Sequence, residues 1–97
     1  MIPFDYANDA WERAAELLAI DSPSGFTEKA ALWVRNAFEA LGFPAKITVK
    51  GGVLTDLGGQ DTENGLLLEA HTDTLGGMVC RIKDNGRLQL TRIGGMR

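Results

Sequence analysis

Gly65-Leu66-Leu67-Leu68-Glu69-Ala70-His71-Thr72-Asp73-Thr74-Leu75-Gly76-Gly77 is the stretch on which the fold turns. Leu66 to Leu68 form a short apolar run bounded by turn signals. The run predicts a strand over 65–71, buried on both faces of a parallel or mixed sheet. The chain's single histidine follows the last apolar residue, Ala70. Polar chemistry thus appears at the carboxyl end of a buried strand, where open α/β sheets place ligands. Strand side chains repeat with period two, so His71 and Asp73 are expected on one side. Asp73 then accepts a hydrogen bond from one ring nitrogen of His71, which fixes the tautomer and leaves the other nitrogen for a metal. The competing reading makes His71 a structural side chain and Asp73 a turn or cap residue.

Upstream, 5–20 has helical spacing in Ala10, Ala14, Leu17 and Leu18, widened by Trp11 and Ala15. Asp5, Asn8 and Asp9 are its candidate caps or first-turn acids. Asp21-Ser22-Pro23-Ser24-Gly25 ends it, because proline and glycine punctuate and the residue before proline avoids the helical region. A second helix runs over 27–41, with Ala30, Val34, Phe38 and Leu41 on one stripe and Ala31 and Ala37 beside it. Trp33 falls off the centre of that stripe. Gly42 and Pro44 stop the helix. Ala45 to Lys50 alternates, Gly51-Gly52 reads as a tight hairpin turn, and Val53 to Leu57 returns. The acids of the polar loop over 58–65 are expected to be solvated.

Downstream of Gly76-Gly77 the pattern changes. Met78 to Lys83 and Arg87 to Ile93 alternate, and Asp84-Asn85-Gly86 joins them as a hairpin. Val79, Ile82, Leu88, Leu90 and Ile93 are its apolar members. Cys80, the one cysteine, has no internal disulfide partner and is expected as a small buried apolar side chain.

Ninety-seven residues make one domain at most and bury roughly 60–65% of the surface of the unfolded chain. The apolar fraction of 44% and charged fraction of 24% belong to a soluble globular chain. Net charge is −3 with the signs mixed, and no basic run is present, which argues against nucleic acid as a partner. No apolar run approaches the roughly 20 residues of a membrane span. Met1-Ile2-Pro3-Phe4-Asp5 lacks the basic start and apolar core of a signal peptide. A cytoplasmic protein with no membrane partner is expected.

His-x-Asp after an apolar strand, Met78-Val79, Asp84-Asn85-Gly86, Ile93-Gly94-Gly95 and the earlier Ser22-Pro23-Ser24-Gly25, in this order, resemble the tetrahedral or glutamyl aminopeptidases. The resemblance covers nearly all of this chain but only the front of the much longer family members. One departure is Thr74, where many members carry an acidic residue. The resemblance implies an α/β fold, α+β within this stretch alone. Residues 1–75 would be the front of a zinc-aminopeptidase-type α/β/α catalytic domain. Residues 76–97 would be the first hairpin of an inserted β-barrel that mediates dimerisation. It also implies a hydrolase with two divalent metal ions, zinc or cobalt, that activate a bridging water and polarise the scissile carbonyl of an N-terminal peptide bond. His71 would ligate one metal, and Asp73 would serve catalysis by holding the His71 ring. Peptides would be the substrates and homo-oligomers the assembly. In that family the 22–25 loop lies near the substrate end; read from its residues alone it is a helix-to-helix connection.

A catalytic zinc takes about three protein ligands, and this chain has no second histidine. Glu69 shares the side of His71 by spacing, but the family does not use that position as a ligand. The bridging Asp, the general-base Glu and the other ligands are expected beyond Arg97, and the 97-residue chain alone is expected to be inactive. No Gly-x-Ser-x-Gly elbow or Gly-rich phosphate loop offers another chemistry. The alternative reading is a non-catalytic α+β module that acts through protein contacts along a strand edge. Further Asp, Glu and His ligands past Arg97 would separate the two.

Overall fold

A computed structural model describes residues 3–95. The order is α1 (Tyr6–Leu18), α2 (Glu28–Ala40), β1 (Ala45–Ile47), β2 (Val53–Thr55), β3 (Gly76–Ile82) and β4 (Leu88–Ile93). Two separate antiparallel pairs, β1–β2 and β3–β4, make this an α+β arrangement. Met1 and Ile2 at the start, and Met96 and Arg97 at the end of the expected 76–97 unit, lie outside the described residues.

Both helices begin and end near their expected positions. Asp5 caps α1, its carboxylate accepting from the Asn8 amide at 3.1 Å. Arg13 pairs with Asp9 one turn away at 2.9 Å. α2 closes in a Schellman turn. The Phe43 amide donates to the Phe38 carbonyl and the Gly42 amide to that of Glu39, both at 3.0 Å. Gly42 stands at φ +91°, a left-handed conformation that a Cβ makes costly.

β1 and β2 are shorter than expected. The tight Gly51-Gly52 turn is instead a loop over Thr48–Gly52, because Ile47 already faces Val53. The Thr48 amide donates to the Gly52 carbonyl at 2.7 Å, and the Gly52 amide donates to Thr48 Oγ1 at 3.0 Å. In the polar 58–65 loop, the Asp61 carboxylate accepts from the Glu63 and Asn64 amides and the Asn64 side chain. Those bonds, the Glu63 amide foremost, lower its pKa.

The second hairpin turns through Asp84-Asn85-Gly86. The Gly86 amide donates to the Lys83 carbonyl, the Lys83 amide to that of Arg87, and Gly86 sits at φ +81°. That is a three-residue connection with a left-handed last position. Along β3 the register slips between Val79 and Arg81. Val79 faces Leu90 and Arg81 faces Gln89, so Cys80 is the extra residue of a β-bulge. The slip puts Val79 and Ile82, three residues apart, on one face with Leu90 and Leu88. Ile93 pairs with Gly76 and falls on the other face. Cys80 is exposed rather than buried; its thiol donates to the Gln89 carbonyl at 3.3 Å.

The central strand expected over 65–71 is absent. This segment has no regular structure, and Leu66, Leu67 and Leu68 are 85%, 73% and 78% exposed. A buried strand needs neighbours for its N–H and C=O groups, and among the described residues none runs beside it. The apolar stripe of α1 likewise lacks cover: no α1 residue is buried, and Trp11 is 75% exposed. Among the described residues, full burial of apolar side chains is confined to Ala30 and Ala31 of α2, the helix that also packs on β1 and β2. The radius of gyration is 18.0 Å, against about 12–13 Å for a compact domain of this length. The accessible surface is 8731 Å², where a folded monomer of this mass exposes about 5,400 Å². These residues do not enclose a core of their own.

Candidate functional site

The loop after α1 and the segment after the leucine run are fastened to each other. The Thr74 amide donates to the Ser22 carbonyl at 2.7 Å, and Pro23 and Thr74 form a parallel bridge. Ser22 is 2% exposed, one of the few buried anchors in the molecule. Pro23 also turns the loop by accepting from the Phe26 amide at 2.8 Å. Gly76 lies flat against Pro23: a Cβ at this position would meet the proline Cβ at 2.8 Å. The approach therefore requires glycine.

This fastening brings Ser24 to the carboxylate of Asp73. Ser24 Oγ donates to Asp73 Oδ2 at 2.6 Å. The other oxygen, Oδ1, lies 2.9 Å from His71 Nδ1, and the Asp73 carbonyl is also 2.9 Å from that nitrogen. Both acceptors require a proton on Nδ1, which leaves Nε2 as the electron-pair donor of the neutral ring. The His71 pKa is raised, foremost by the Asp73 side-chain hydrogen bond and then by the carbonyl. The Asp73 pKa is lowered, foremost by Ser24 and then by His71. Both side chains are open to solvent, at 85% for His71 and 45% for Asp73.

The expected hydrogen bond between His71 and Asp73 is present, but not on a strand. The spacing of two suffices in an irregular backbone. Ser24 was not assigned a role from sequence. It stands 49 positions from Asp73, and the Ser-Pro-Ser-Gly stretch was the only signal pointing to its loop. An open hollow of about 460 Å³ adjoins these residues, between Leu17 and Leu18 of α1, the 71–75 segment and Gly94-Gly95. Its walls are mostly apolar.

Among the described residues no three His, Cys, Asp or Glu side chains gather where a metal ion could be held. His71 Nε2 is one suitable donor, but the residues present do not make a complete metal centre. No catalytic step through a metal follows from them. No described helix is long and apolar enough to cross a membrane.

Comparison with known proteins adds the last observation. The family model for the M42 glutamyl aminopeptidases matches residues 51–97. The putative aminopeptidase YhfE of Bacillus subtilis (strain 168) is 38% identical over 86 residues, 89% of this chain and 25% of that protein. The chain thus spans about a quarter of the length of the curated relative it matches.

Proposed function

This chain belongs to the M42 glutamyl aminopeptidase family, and on that basis we propose that it serves the metal-dependent removal of N-terminal residues from peptides, in the cytoplasm. His71 is a metal ligand through Nε2, and Asp73 orients its ring. The observation that carries this reading is the engagement of Nδ1 by Asp73, which turns the other nitrogen outward as a donor. Carboxylate-held histidines are the usual form of an imidazole ligand. Zinc or cobalt suits an imidazole site. Residues 1–75 contribute to the catalytic domain, and residues 76–97 open a β-barrel unit through which copies associate. The β3–β4 hairpin supports that division, since among the described residues the two strands pack on each other and on no other helix or strand.

The test has two arms. The 97-residue chain should not hydrolyse aminoacyl-p-nitroanilides with added zinc or cobalt, because it offers one gathered ligand. A longer protein that joins these residues to the remaining ligands should hydrolyse them, and His71→Ala should abolish turnover. Asp73→Asn should weaken metal binding roughly 10–100-fold in that protein. Turnover by the 97-residue chain that depends on His71 would overturn the placement of the site.

A second reading, a non-catalytic interaction module, is favoured by the exposed leucines over 66–68 and the bare face of α1. Metal-independent capture of a protein partner, with no hydrolysis by the longer protein, would support it.

A further inference from the structure

Asp73 is held from two sides, and the second holder is the less expected one. A carboxylate turns readily about its last torsion, because that torsion has only broad, shallow wells. One hydrogen bond would leave its second oxygen free to swing. Here Oδ1 meets His71 Nδ1 and Oδ2 meets Ser24 Oγ, so the plane of the group is defined by a histidine on one side and a serine on the other. The serine is itself fixed, since its loop is tied to the same segment through Ser22, Pro23 and Gly76. We propose that Ser24 is a positioning residue. By holding Asp73 Oδ2 it aims Oδ1 at Nδ1 and keeps His71 in the Nδ1–H tautomer, with Nε2 presented as the donor.

This rests on the proposed role of His71 only for its purpose; the geometry and its test stand without a metal. A merely structural serine would fasten the two loops and leave the ring untouched. The Asp73 carbonyl also faces Nδ1, so it competes for the same role.

The experiment uses the full chain labelled with 15N-histidine, at a pH where the ring is neutral. His71 is the single histidine, so one pair of ring nitrogen signals reports the tautomer ratio. In Ser24→Ala the ratio of Nδ1–H to Nε2–H should fall about two- to tenfold, the worth of one net hydrogen bond. Ser24→Thr keeps the hydroxyl and should restore the original ratio. Asp73→Asn should shift the ratio at least as far as Ser24→Ala. An unchanged ratio in Ser24→Ala would mean that the carbonyl alone holds the ring, and would overturn the proposal. Equal shifts in the alanine and threonine variants would overturn it too, since bulk rather than the hydroxyl would then be responsible. Failure of the peptidase reading leaves all three ratios as expected, so the two failures are distinguishable.

Discussion

On the Asp73 carboxylate two hydrogen bonds meet, and they set the sign of the local pH response. The His71 pKa lies above its ordinary 6.5 because Asp73 favours the imidazolium. Its contribution to the folded form is therefore full below about 6.5 and is lost as pH rises through the raised value. The Asp73 pKa lies below its ordinary 3.8 because Ser24 and His71 favour the carboxylate. Its contribution is full above about 3.8 and is lost as pH falls through the lowered value. The pair is strongest between those two limits. An NMR titration should give His71 a pKa above 6.5 in the metal-free chain, and Asp73→Asn should bring it down toward 6.5. A value at or below 6.5 in the unsubstituted chain would contradict the observed pairing. His71 and Asp73 were legible together because a single residue, Thr72, separates them. Ser24 was not, since a contact across 49 positions depends on how two loops meet.

At the scale of elements, local chemistry was legible where it acts locally. α1 buries no side chain, so its stability rests on its cap and its i, i+4 pairs. Asp5→Ala should cost about 1 kcal/mol of helix stability, and circular dichroism should register the loss of helix. The junction between loops depends instead on close approach. Gly76→Ala would drive a methyl group into Pro23. Overpacking of this kind costs about 1–3 kcal/mol. The Thr74 amide, which donates to Ser22, should then exchange its proton at least about fivefold faster. Exchange at the original rate would show that Pro23 gives way without strain. The helix stops and the Asp84-Asn85-Gly86 turn were readable because glycine and proline act within a few residues. The strand over 65–71 was misread because apolar composition specifies a wish for burial, and only a neighbouring strand can satisfy it. The bulge at Cys80 was hidden for a related reason: an extra residue is defined only against a partner strand.

Over the whole molecule, apolar surface without cover should drive association. Leu66, Leu67 and Leu68, Trp11 and the Val79–Ile82–Leu88–Leu90 face are all open to solvent. Exposed patches of this kind mark interaction surfaces or aggregation. Light scattering of the 97-residue chain should show mass rising with concentration, and a hydrophobic dye should brighten on binding. A monodisperse monomer at high concentration would contradict this. The bulge also makes the two outer edges of the β3–β4 ribbon unequal. The extra residue at Cys80 breaks the even spacing of hydrogen-bonding groups on the outer side of β3 and increases its twist. The outer side of β4 keeps an unbroken register from Leu88 to Ile93. One edge is therefore a usable template and the other is not, so the ribbon has a polarity of growth. On association, new amide protection should alternate along β4 and be missing from the outer groups of β3.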